Sequence, residues 1–79
     1  MIVHIFSLQK AVLRKESQSV NLKTAGGEIT ILDNHRPLIA PLVKGQIRIT
    51  DAAGKEEAIE ADSGFVEVRP KGEVNILID

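Results

Sequence analysis

No cysteine occurs in the chain, so disulfides cannot brace it and no thiolate is available as nucleophile or metal ligand. Histidine is nearly as scarce: His4 and His35 stand far apart in sequence, and one imidazole without partners does not make a zinc site. Phe6 and Phe65 are the only aromatic residues, which leaves no set of rings on which unpaired bases could stack. Neither sign of charge dominates. Ten Lys and Arg oppose eleven Asp and Glu, whereas a surface built to neutralise phosphates is strongly basic. Nucleic acid is therefore excluded as a partner. The uncharged run of interest to a membrane, Pro37 to Val43, falls far short of the ~20 residues of a spanning helix. The start Met1-Ile2-Val3-His4 lacks the basic stretch, apolar run and small-residue cleavage site of a secretory signal. The expected compartment is the cytoplasm.

A chain of 79 residues without disulfide or structural metal sets hydrophobic burial against an ordering cost of roughly 1.5 kcal/mol per residue, a balance that comes out near zero. A partner surface is expected to share the burden. We read one domain over residues 1–79, with no linker, repeat or low-complexity tract.

What the chain has in quantity is β-branching. Ten Ile, seven Val and three Thr occupy about a quarter of the positions, and apolar residues recur with period two, not 3.6. Ile2, His4, Phe6 and Leu8 alternate with Val3, Ile5 and Ser7, so both faces of a first strand are expected to be at least half buried. After a Gln9-Lys10 turn, Ala11–Arg14 forms a short strand, and the polar run Lys15–Ser19 leads to Val20, Leu22 and Thr24. Gly26-Gly27 breaks the pattern. Strand character resumes at Glu28–Leu32, stops at Asp33-Asn34, and returns around Leu38-Ile39, where Pro37 and Pro41 forbid a central strand. Gln46–Thr50 and Glu56–Ala61 read as a hairpin with one wet face. Phe65–Arg69 and Val74–Ile78 read as another, around Pro70-Lys71-Gly72. The best helical candidate, Ala52 to Ala61, has Gly54 inside it. The fold class is all-β, a two-sheet β-sandwich or flattened barrel of about nine to ten short strands.

Catalytic chemistry is hard to assemble from these residues. No serine has nucleophile-elbow glycines, and Gly26-Gly27 lacks the Gly-Lys-Ser/Thr continuation of a phosphate loop. Glu56, Glu57, Glu60 and Asp62 have no cation-loop spacing and read as a solvated edge strand that discourages aggregation. His4, in phase with Phe6 and Leu8, reads as a partly buried strand residue. Lys71 at a hairpin tip suits a covalently modified carrier lysine or, more simply, a solvated turn. The residues by themselves support a non-catalytic β module, with no cofactor.

The segment Gly27-Glu28-Ile29-Thr30-Ile31 followed by a turn and His35-Arg36-Pro37-Leu38 resembles the signature of the epsilon subunit of F-type ATP synthase. Gly45-Gln46-Ile47-Arg48-Ile49, Ser63-Gly64-Phe65-Val66-Glu67-Val68 and Val74–Asp79 resemble that family's later strands in the correct order, so the resemblance covers essentially the whole chain. Thr30, Asp33-Asn34, Arg36 and Asp62 depart from common family residues but keep turn chemistry. The chain stops at Asp79, where most members continue into a two-helix hairpin that restrains ATP hydrolysis. Because it begins with Met1 and stops as its last strand closes, a naturally short subunit is expected in preference to a truncated one.

The resemblance implies a ten-stranded sandwich at the foot of the central stalk, on the cytoplasmic face of the bacterial plasma membrane. It would be a peripheral, non-catalytic rotor subunit that grips gamma and the polar loops of the c-ring while ion flow turns them. Carried over by position, the c-ring contacts are Glu28, Asp33, Asn34, His35 and Arg36. For the gamma contact the expected residues are Ile39, Leu42 and Val43 near the prolines, and Leu77 on the opposite side of its strand from Val74, Ile76 and Ile78. The alternative is a biotinyl or lipoyl carrier domain with Lys71 modified, although Pro70 and Gly72 replace the Met-Lys-Met-like or Asp-Lys-Ala-like surroundings of carrier lysines.

Overall fold

The structure is a computed structural model that describes residues 1–8 and 10–79; the sequence-predicted turn at Gln9-Lys10 lies partly outside the described residues. It contains nine strands and, among the described residues, no helix. They are β1 (Ile2–Phe6), β2 (Ala11–Glu16), β3 (Ser19–Thr24), β4 (Gly27–Leu32), β5 (Leu38–Leu42), β6 (Gly45–Thr50), β7 (Glu56–Ala61), β8 (Gly64–Arg69) and β9 (Glu73–Ile78).

Hydrogen bonding runs in the order β2-β1-β9-β8-β5-β3-β6-β7, with β4 added to β3. Two layers result because the β5–β3 junction is a single pair, Thr24 with Leu42. There the sheet turns a corner, so β2-β1-β9-β8-β5 lies over β7-β6-β3-β4. Every neighbouring pair is antiparallel except β1 with β9. Alternation then fills the space between the layers. Val3 and Ile5, Val66 and Val68, and Val74, Ile76 and Ile78 point in from one layer; Val20, Leu22, Ile31, Ile47, Ile49 and Ala61 answer from the other. Because one phase of each strand is buried, a one-residue slip would expose an entire apolar set, and this fixes the register.

Two local expectations change. β2 runs on through Lys15 and Glu16, since these residues pair with Val3 and Ile2 of β1 and the polar run does not break the ladder. Only Ser17 and Gln18 connect it to β3, and their N–H groups donate to the carbonyls of Met1 and Thr50. Pro41 sits inside β5, which pairs with β8 along its whole length. The Pro41 carbonyl accepts the Ala25 N–H at 3.0 Å, on the side away from β8. Its missing N–H would point the same way, so no β8 bond is lost. The hairpin expected over Gln46–Thr50 and Glu56–Ala61 is present: Asp51 to Lys55 forms a turn, and β7 pairs with β6 from Thr50–Glu56 to Gly45–Ala61.

Among the glycines, Gly64 leaves the least room for a side chain. A Cβ there would overlap the Leu77 carbonyl oxygen, and φ is +154°. Gly64→Ala should therefore cost about 1–3 kcal/mol, read as a lower denaturation midpoint at unchanged m-value.

Candidate docking surfaces

The two outward faces of the sandwich differ in kind. On β6, β3, β4 and β7 the outward phase carries Lys23, Asn21, Glu28, Thr30, Arg48 and Glu60, a wet surface of mixed charge in which Leu32 at the end of β4 is a single exposed large apolar side chain. Asn21 Nδ2 donates to Glu28 Oε2 at 2.9 Å and to Thr30 Oγ1 at 3.0 Å. Arg48 donates to Gln46 Oε1 through Nε and Nη2, at 3.2 and 3.0 Å. This face already pairs polar groups with one another.

Across the other layer the register aligns Phe6 of β1 with Leu77 of β9, Leu77 with Phe65 of β8, and Phe65 with Pro41 of β5. Four strands thus contribute one continuous apolar row, with Phe65 56% and Leu77 42% exposed. Ile39, 72% exposed, flanks it beside Glu67. At one end, Leu8, Pro41, Phe65 and Leu77 border a hollow of about 360 Å³. A contiguous exposed apolar patch of this kind marks an interaction site, and aromatic residues are enriched among those that anchor interfaces.

Three of the four residues assigned from the sequence to a gamma contact belong to the exposed set: Ile39, Val43 and Leu77. Leu42 does not. It is 6% exposed and packs in the core, because it occupies the corner where β5 meets β3. Sequence reasoning passed over Phe6 and Phe65, though both signals were available. They are the only aromatic residues, and each lies on the opposite strand phase from buried neighbours such as Ile5 and Val66.

The residues assigned to a c-ring contact are divided between the two ends of β4. Glu28 lies beside the Thr24–Gly27 hairpin turn, where the Thr24 hydroxyl donates to the Gly27 carbonyl at 2.8 Å. Asp33, Asn34, His35 and Arg36 follow the far end of the strand, five or more residues along, or about 17 Å. There Asp33 Oδ1 accepts from the Met1 ammonium at 3.0 Å, and Asn34 takes a left-handed φ of 67°. The His35 N–H donates to the Leu32 carbonyl at 3.2 Å, while its Nδ1 donates to the Arg36 carbonyl at 2.8 Å. Arg36 is exposed.

Between that turn and the β8–β9 hairpin lies a cleft of about 400 Å³ whose lips include Asn34, His35, Arg69 and Lys71. Lys71 is exposed at the hairpin tip with φ 67°. No group of three or more His, Asp or Glu side chains is placed to hold a metal ion among the described residues.

Comparison with known proteins places this geometry. A sequence-family profile described as ATP synthase, Delta/Epsilon chain, beta-sandwich domain, matches residues 1–79. The ATP synthase epsilon chain of Dichelobacter nodosus is 40% identical over 77 residues, covering 98% of this chain and 53% of its own length. That of Desulfitobacterium hafniense is 43% identical over 77 residues, covering 98% and 57%. The chain thus spans a little over half the length of these relatives. In the cryo-EM structure of the Euglena gracilis mitochondrial ATP synthase, one chain superposes with a TM-score of 0.93 at 23% identity, over 99% of this chain and 49% of that one. A chain from the central stalk and c-ring of the Tetrahymena thermophila enzyme gives 0.81 at 17%, over 99% and 62%. Those two likenesses establish the same fold. With the profile spanning every residue and relatives at 40% identity or more, the chain belongs to the family of ATP synthase delta/epsilon-chain β-sandwich domains.

Proposed function

We propose that this chain is a non-catalytic rotor element, an epsilon-type sandwich that docks on the gamma subunit and the c-ring of a membrane-bound ATP synthase and turns with them. The observation that carries the reading is the contrast between the two outward faces. Nothing in the fold's own core needs Phe6, Leu77 and Phe65 on the outside, and the opposite face shows that this chain can make a polar surface. The apolar row is the gamma-docking surface, supported by Ile39 and Val43 and not by Leu42. A grip that survives torque needs more than about 1,000 Å² of total buried area, and a four-strand face offers the breadth for it.

The c-ring contact runs along β4. Glu28 and the Asp33–Arg36 turn can serve one partner only if that partner extends beside the strand's open edge, as a row of repeated polar loops would. Exposed ion pairs there contribute about 0–1 kcal/mol each, so this contact guides orientation and the apolar row supplies affinity. The complex sits at the membrane's cytoplasmic face, with this chain peripheral to it.

The test is affinity purification from native membranes through a tag placed after Asp79, because the Met1 ammonium is engaged by Ser17 and Asp33. Gamma and c-ring subunits are expected to come with the chain. Recovery of the chain alone, or with unrelated proteins, overturns the reading.

A further inference from the structure

The outermost strands, β2 and β7, border the flank of the sandwich without a backbone ladder between them: β2 pairs with β1 and β7 with β6. Each nevertheless carries a charged residue on its inward phase. Lys15 lies two positions from Leu13, and Glu57 two positions from Ile59, both of which pack against the core. The Lys15 ammonium donates to Glu57 Oε1 at 2.6 Å and stands 3.6 Å from Asp51 Oδ2. Its side chain is only 20% exposed, so the methylene stem covers the flank of the core while the head reaches the carboxylates. Asp51 is held in turn, its Oδ1 accepting the N–H groups of Ala53 at 3.0 Å and Lys55 at 2.9 Å. Inward charges at sheet edges discourage edge-to-edge pairing. Here two such charges have opposite signs and meet.

We propose that Lys15, Glu57 and Asp51 form a clasp across the seam between the two layers, and that acid opens this seam, releasing the β6–β7 hairpin from β2 before the rest of the sandwich yields. The inference stands on the geometry of the seam and does not depend on the docking reading.

The charged groups around the clasp are Asp51, Lys55, Glu56 and Glu57 on the hairpin side and Arg14 and Glu16 on β2, both exposed. Val3, the cross-strand neighbour of Lys15 on β1, brings none. The Lys55 backbone N–H, helped by that of Ala53 and by the Lys15 ammonium, holds the Asp51 carboxyl below its ordinary value against the opposing effect of desolvation. Its contribution is present above the ordinary carboxylate pKa and is lost as pH falls through the lowered native value. The hydrogen bond to Glu57 raises Lys15 above the ordinary lysine value. That contribution is complete below the ordinary lysine pKa and is lost only as pH rises through the raised one. The clasp is therefore closed at neutral pH and opens on the acid side.

Amide hydrogen exchange on the whole chain, expressed as protection relative to the free peptide at each pH, tests this. Protection of β2 and β7 amides is expected to fall several-fold between neutral pH and a pH below the carboxylate range, while β8 and β9 keep theirs. Lys15→Met should show the acid-like loss of β2 and β7 protection already at neutral pH, with a smaller further fall in acid that comes from the Asp51 turn alone. Glu57→Gln serves the same purpose if Lys15→Met does not fold, and Glu56→Gln, whose side chain is outward and exposed, should behave as the parent. Protection that is pH-independent in the parent, uniform loss across all strands, or a clasp variant indistinguishable from the parent overturns the proposal.

Discussion

Leu77→Asp is expected to weaken binding of this chain to the gamma subunit by roughly a hundredfold, or about 3 kcal/mol, while the variant keeps its far-UV circular dichroism and most of its thermal stability. Leu77 is the middle of the apolar row, in register with Phe6 on one side and Phe65 on the other. A carboxylate there would have to be desolvated against apolar neighbours whenever a partner covers the row, which is costly without a counter-charge. In the free domain the same carboxylate stays in water, because the position is 42% exposed. Phe65→Asp should behave likewise, and Ile39→Asp more mildly at the flank. Isothermal titration against purified gamma measures the effect, and unchanged affinity for both Leu77→Asp and Phe65→Asp would move the docking surface elsewhere.

One residue earlier on the same strand the outcome should invert. Ile76 is fully buried between the layers, paired with Ile5 on one side and Val66 on the other. Ile76→Ala removes buried methyl groups and leaves a cavity, a change that costs about 2–5 kcal/mol. A domain of this size holds only roughly 4–12 kcal/mol in total, so a large part of its stability goes. The expected result is a much lower midpoint in urea or heat, with binding at low temperature close to that of the parent for whatever fraction remains folded. Chemical denaturation of the two variants side by side separates the positions: Ile76→Ala should lower the midpoint strongly and Leu77→Asp little, since Ile76 is buried between the layers and Leu77 is exposed. A loss below about 1 kcal/mol for Ile76→Ala would mean that the core collapses around the gap.

The fold was largely legible because its signal is local. Period-two alternation in Gln46–Thr50, Phe65–Arg69 and Val74–Ile78, with turn residues between them, marks strands whose one buried phase sets their register. The places where that reading failed are those where a distant strand supplied what the local residues lacked. Lys15 looked like part of a break because it is polar, yet its partners Glu57 and Asp51 lie about forty residues further on. Pro41 argues against a central strand, yet its polar side faces the turn after β3 and not β8, so β5 lies between β8 and β3 without losing a β8 bond. Glu57 was grouped with solvated acids, although strand phase turns it inward to Lys15 while Glu56 and Glu60 point outward.

The candidate surfaces were legible only in part. Leu77 could be placed outside from the phase of its own strand, since Val74, Ile76 and Ile78 claim the other side. Leu42 could not, because its burial depends on the corner formed with Thr24. Glu28 and His35 read as one cluster along the chain, but an extended strand separates them.

Side-chain alternation with turn residues between the strands was sufficient by itself to specify a small all-β domain. The sequence order of the strands does not say which of them become neighbours. That choice brought Phe6, Leu77, Phe65 and Pro41 into one row and Lys15 to Glu57 across the seam. The physical reason is that burial acts on each strand through its own alternation, whereas a continuous surface or an ion pair between strands exists only after the layers have packed.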